Sequence, residues 1–179
     1  GGHISKTVID LNDLSSKIVG ASFKSNAKLE RLKDLLKDLF ANPKNKVIIW
    51  ARFLSEVQDI ALVCQGLGVD TSVLTGSVKD KGSQVRKFQE DSECRAFIGQ
   101  ISCGIGINLT SSSYMVYYSL TTKLEDYYQS LDRNYRIGQS NKVTVYRMMA
   151  KDTIDEALAS AIDHKKDIVE MVLSEKGCP

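Results

Sequence analysis

A chain of 179 residues, 42% of them hydrophobic and 26% charged, is long enough for one sizeable core and one domain. A formal net charge of +2 excludes a surface that is basic throughout, so any nucleic-acid contact must rest on a local cluster. Cys64, Cys94, Cys103 and Cys178 form no CxxC pair and stand at no ligand spacing from His3 or His164, so reduced thiols in an intracellular protein, cytoplasmic or nuclear, are expected and a metal site is not.

Residues 1–24 lack sustained periodicity and are read as a lead-in arm. "SNAKLERLKDLLKDLF" then reads as an amphipathic helix, with Ser25 as N-cap, a stripe of Leu29, Leu32, Leu36 and Leu39, and Asn42-Pro43 as its stop. "KVIIW" (46–50) is a β-branched and aromatic run of strand character. A helix over about 54–67, closed by Gly66 and Gly68, precedes a strand "DTSVL" (70–74) and a turn and helix over 78–90. "RAFIG" (95–99) is a strand, "QISCGIGINLTSS" a loop with a short helix, and "YMVYYS" (114–119) a strand again. A helix over about 124–137, a strand "KVTVYRMMA" (142–150) and a last helix with a Thr153–Glu156 capping box complete the chain. No apolar run approaches the roughly 20 residues of a membrane span, and no signal peptide is expected.

Strands alternating with helices, the strands almost continuously apolar, predict an α/β fold whose parallel sheet is covered on both faces. Ligands of such sheets bind beyond the carboxyl ends of the strands. The loops after Trp50, Leu74, Gly99 and Ser119 therefore become the informative ones.

In the helix "YYQSLDRNYRIGQ", Leu124, Tyr128, Leu131 and Tyr135 form the apolar stripe. Gln129, Asp132, Arg133 and Arg136 fall at i, i+3, i+4 and i+7, about 100° round from it. A solvated charged face usually mixes Lys and Glu, whereas two guanidinium groups and a Gln amide suit bidentate capture of phosphate oxygens. "SCGIGINLT" (102–110) places Gly104 and Gly106 where backbone can approach an anion. It is neither a P-loop, since GxxxxGK[ST] is absent, nor a dinucleotide fingerprint, since the third glycine is missing. "TGSVKDKGSQVRKF" (75–88) offers Thr75, Gly76 and Ser77 to a phosphate beside Lys79, Lys81 and Arg86.

Together these stretches resemble a known family. Q-x-x-D-R-x-x-R-I-G-Q, met from Gln129 to Gln139, is similar to motif VI of superfamily-two helicases, and its RIGQ ending resembles the Swi/Snf-like group of DNA translocases. "GIGINLT" resembles motif V of that group and "KVIIWARF" its motif IV. The likeness runs from about residue 25 to residue 165.

It implies the C-terminal RecA-like lobe of a two-lobed ATP-driven motor, with residues 25–175 as the lobe and 176–179 as a tail. By that resemblance Arg136 is an arginine finger, Arg133 a second γ-phosphate contact, and Gln129 positions both. Asp132 orients an arginine, while Gly104, Gly106 and Asn108 approach the nucleotide. Thr75, Gly76, Ser77, Lys79, Lys81, Ser102 and Thr110 are the implied contacts to DNA, probed as a double strand without regard to sequence. ATP and Mg²⁺ are implied as ligands held mainly by an N-terminal lobe of the same polypeptide, with none bound tightly by this chain alone. A monomer that does not touch membranes is expected.

The chain departs from the family pattern in two places. Ala51, Arg52 and Phe53 replace a Ser-Gln-Phe run, and "SLTTKLED" (119–126) has neither the Trp nor the Pro of the D-x-x-W-N-P run. These departures suggest a divergent branch, bacterial or viral. The competing readings are a stand-alone RecA-like module that binds nucleic acid or protein without ATP chemistry, and a Rossmann-type methyltransferase or dehydrogenase.

Overall fold

A computed structural model of the chain describes residues 7–10, 21–103, 109–120 and 144–149, together with positions 160, 163 and 164. Helices α1 (Ala21–Phe40), α2 (Leu54–Gly66) and α3 (Lys81–Glu90) alternate with strands β1 (Thr7–Asp10), β2 (Val47–Ala51), β3 (Asp70–Leu74), β4 (Cys94–Gln100), β5 (Tyr114–Tyr117) and β6 (Thr144–Met149). The strands form one sheet in the order β1-β6-β5-β2-β4-β3, and every neighbouring pair is parallel. The expected architecture, a parallel sheet between helical layers, is what forms.

Period-two alternation divides the strand residues between the two layers. Ile48, Trp50, Phe97, Met115, Tyr117 and Val145 enter one core, where Phe88 of α3 joins them. Val47, Ile49, Ala96, Ile98, Val116 and Met148 enter the other, against Leu32, Leu36 and Leu39 of α1 and Val57, Ile60 and Cys64 of α2. Leu32 and Leu36 are fully buried, so the leucine stripe faces the sheet as its spacing predicts. Burying each such side chain contributes roughly 1.5–3 kcal/mol.

Two expectations change. Within the stretch read as an arm, Thr7–Asp10 forms an edge strand in register with Tyr146–Met149. "TVID" is too short to signal a strand alone; its ladder partner comes from the far end of the chain. Helix α1 also begins at Ala21, which puts Ser25 inside the helix rather than at its cap. The helices expected over 124–137 and from Thr153 onward lie outside the described residues, apart from helical positions 160, 163 and 164.

The amino edge of the sheet is closed by two cations. Arg95 Nε donates to Asn45 O at 3.1 Å, and its Nη2 donates to Phe40 O at 3.0 Å and Asn42 O at 2.6 Å, collecting the carbonyls at the end of α1. Lys46 Nζ does the same for α3 through Phe88 O and Asp91 O. Helix α2 ends in a Schellman turn, with Gly68 at φ 71°. Gly68 N–H donates to Gln65 O and Val69 N–H to Cys64 O, both at 3.0 Å. Arg147 of β6, 7% exposed, forms an ion pair with Asp163 through two bonds of 3.2 and 3.3 Å, joining that strand to a helical position.

Strand β3 is an edge of the described sheet, and side chains occupy two of its backbone groups. Val73 N–H donates to Gln84 Oε1 at 3.0 Å, and Lys87 Nζ donates to Thr71 O at 2.9 Å. Both side chains come from α3.

The thiols differ sharply in setting. Burial pushes the Cys64 thiol up to about 12, so it stays protonated at pH 8, whereas Cys103 is half-exposed. Alkylation at pH 8 followed by mass mapping should therefore modify Cys103 in the native protein and reach Cys64 only after unfolding. Native-state labelling of Cys64 at the rate of Cys103 would contradict this.

Candidate functional site

The carboxyl edge brings the exits of β2, β3, β4 and β5 together. After β3 the chain makes a turn closed by Val78 N–H to Thr75 O at 3.2 Å. Thr75 is 5% exposed, and its Oγ1 lies 3.0 Å from Ser77 Oγ, which holds the turn from below. Gly76, Ser77, Lys79 and Lys81 are exposed. A Cβ on Gly76 would meet nothing within 4 Å, so neither packing nor backbone conformation demands glycine there. Open space above an exposed backbone and hydroxyl is what a phosphate needs. Asp80, between the two lysines, accepts from Ser83 N–H at 2.9 Å as the N-cap of α3.

On the neighbouring strand, β4 passes into a 3₁₀ turn, Ile101–Cys103, that leaves Ser102 exposed. Because β3 and β4 are paired, Ser77 and Ser102 belong to one edge. Thr110 does not join them. Its Oγ1 accepts from Gln89 Nε2 at 3.2 Å, and Ser111 N–H donates to Gln89 Oε1 at 3.0 Å. Gln89 lies in the last turn of α3, at the amino side of the sheet, so Thr110 is placed away from the other phosphate candidates. Gly104, Gly106, Asn108, Gln129, Asp132, Arg133 and Arg136 lie outside the described residues.

A third group went unnoticed in the sequence. The connection from β2 leads to β3 on one side of the sheet, while that from β5 leads to β6 on the other. Adjacent strands with diverging connections open a crevice between their carboxyl ends. Here Ser119, 5% exposed, stands at the exit of β5. Its Oγ accepts from Arg52 N–H at 2.7 Å and donates to Glu56 Oε1 at 2.8 Å. The same Glu56 oxygen accepts from Phe53 N–H at 3.1 Å. Gln100 Nε2 donates to Arg52 O at 3.4 Å, extending the connection to β4. The Arg52 guanidinium lies over the Phe53 ring, 4.8 Å from its centroid, and Phe53 is 53% exposed. Only the pairing of β2 with β5 brings residues so distant in sequence into contact.

A shallow cleft of about 650 Å³ lies elsewhere, lined by Gln58, Leu62, Gln65 and Thr71 among others. It opens beside α2 and the amino end of β3 and shares nothing with the carboxyl edge. Among the described residues, no group of three or more His, Cys, Asp and Glu side chains is arranged to hold a metal ion. None of the described helices is long and apolar enough to cross a membrane.

Residues 27–138 match the model of the helicase conserved C-terminal domain. An uncharacterized ATP-dependent helicase of Mycoplasma genitalium is 29% identical over 176 residues, which cover 97% of this chain and 16% of that protein. ATP-dependent helicase FUN30 of Saccharomyces cerevisiae is 27% identical over 154 residues, covering 84% of this chain and 14% of that protein. The chain thus spans about a sixth of these relatives' length. Among solved structures, the C-terminal part of the Fun30 ATPase domain superposes with a TM-score of 0.69 at 28% identity, covering 75% of this chain and 44% of that one. The Pyrococcus furiosus Hef helicase domain, at 18% identity and a TM-score of 0.62 over 75% of this chain and 28% of its own, shares the fold. With the model matching well over half its length and ATP-dependent helicases among its relatives, this chain belongs to the helicase conserved C-terminal domain family.

Proposed function

We propose that the chain is the second motor lobe of an intracellular ATP-dependent DNA translocase, working with an N-terminal lobe of the same polypeptide. The observation that carries this reading is the carboxyl edge itself. Exposed Ser77, Lys79, Lys81 and Ser102 gather there, on a lobe whose family match extends through Gln129, Asp132, Arg133 and Arg136. In this reading the edge follows the sugar-phosphate backbone of double-stranded DNA. Ser77, Ser102 and the Gly76 amide hydrogen-bond phosphate oxygens, Thr75 supports the turn, and the two lysines supply field without reading sequence.

ATP occupies the space between the lobes. Arg136 places its guanidinium against the γ-phosphate, where negative charge spreads over the equatorial oxygens as the phosphoryl group transfers. Arg133 gives a second contact and Gln129 holds the pair, while Asp132 accepts from an arginine and fixes its plane. Gly104, Gly106 and Asn108 bring backbone and an amide to the nucleotide. Mg²⁺ is assigned to acidic residues of the other lobe, and the isolated chain should not turn over ATP.

The DNA half of this reading has a direct test. Replacing Lys79 and Lys81 together by Ala in the parent protein should weaken DNA binding equally for unrelated sequences. It should also flatten the plot of log affinity against log salt by about 0.9 per lost phosphate contact, or up to roughly 1.8 in all. An unchanged salt slope would remove this edge from the DNA path.

A further inference from the structure

We propose that Glu56 and Ser119 are positioning residues that couple the DNA-facing loops to the segment carrying Gln129, Arg133 and Arg136. The inference rests on the motor reading above and adds to it a route between its two ligands. Three loops meet in this one hydrogen-bonded group. The exit of β4, which continues into Ser102, is tied to Arg52 O through Gln100. The exit of β2 is tied to Ser119 Oγ through Arg52 N–H at 2.7 Å. The exit of β5 is tied through the same hydroxyl to Glu56 Oε1 at 2.8 Å, at the start of α2.

Ser119 is the hinge of the arrangement. It is the next residue but one after β5, and the chain runs on from it into residues 121–139. Its hydroxyl is nearly buried and uses its proton on Glu56 and a lone pair on Arg52 N–H. It therefore holds one orientation, and a shift of the β2 exit must move either Ser119 or the bond. Each of the two stretches that depart from the family pattern contributes one partner to this contact, Arg52 and Ser119. Glu56 has a second duty, accepting from Phe53 N–H at 3.1 Å as it caps α2. Ser119→Ala leaves that cap in place and cuts only the bridge.

In the parent protein, Ser119→Ala should leave DNA-independent ATP hydrolysis and DNA affinity close to wild type. It should lower the stimulation of hydrolysis by DNA roughly three- to tenfold, the range expected for one or two lost hydrogen bonds. Glu56→Ala should lower stimulation similarly, with a small loss of stability from the cap. Glu56→Gln retains an acceptor oxygen and should restore stimulation. The measurements are turnover with and without saturating DNA, DNA affinity, and melting temperature for each variant, with Arg136→Ala in parallel.

If Ser119→Ala is stimulated like wild type, the coupling role is wrong. If basal and stimulated rates fall together with the melting temperature, the contact is merely structural and the proposal fails equally. Should Arg136→Ala itself hydrolyse ATP normally, the motor reading fails instead, a result distinct from either.

Discussion

Replacing Arg136 by Ala in the parent protein should abolish DNA-stimulated ATP hydrolysis while leaving the fold and DNA binding nearly intact. In GTPases an arginine finger contributes on the order of 10³–10⁵ in rate, because its guanidinium neutralises charge that exists only as the phosphoryl group transfers. A loss of that size in turnover, with little change in ATP affinity, is the signature of an interaction made in the transition state rather than in the ground state. Lysine should not rescue it, since a point charge cannot reproduce the planar fork. Arg133→Ala should cost less. Wild-type turnover in Arg136→Ala would end the arginine-finger assignment, leaving the family membership untouched.

The second large effect is on stability. Gly99 of β4 lies directly against Trp50 of β2, its partner in the ladder. A Cβ there would stand 2.5 Å from Trp50 Cζ3, 2.8 Å from Cε3 and 3.1 Å from Phe97 Cε1. The indole cannot easily yield, being fully buried and set edge-on to Phe97 with centroids 6.0 Å apart. Gly99→Ala should therefore cost roughly 2–3 kcal/mol, near the upper end of ordinary overpacking. In a chain of this length that is a fall in melting temperature of about 4–12 °C. The cause can be isolated, because in a Trp50→Leu background the added methyl has room. A double-mutant cycle should then show favourable coupling of at least about 1 kcal/mol, and additive effects would mean that the indole is not the obstacle.

Legibility in the sequence followed the range of the interactions. Strands β2, β4 and β5 announced themselves because buried parallel strands are apolar almost throughout, as "VIIW" and "AFIG" are. The stripe of α1 was equally plain, its buried face being written every three or four residues. What failed was whatever depends on a distant partner. Strand β1 exists through pairing with β6, and four residues carry no period of their own. A cap residue misled at Ser25, which lies inside a helix that already begins at Ala21.

The site divides the same way. The 75–81 turn was visible from its own composition, and Arg133 and Arg136 drew notice through their spacing. Thr110 was grouped with the phosphate contacts by its place in a motif, whereas the fold carries it to the opposite end of the sheet. The Ser119–Glu56 bridge had no local signal, because neither residue is unusual until the fold brings two positions 63 apart in sequence into contact.

The outer strand of a sheet turns unpaired backbone groups toward solvent. An unprotected β3 would then offer a template to any extended peptide nearby. By filling the outer positions of that strand with the Gln84 amide and the Lys87 ammonium, the chain makes itself a poor seed for strand addition. Loss of both side chains should surface as concentration-dependent clumping at temperatures well below unfolding, a fault of company rather than of folding.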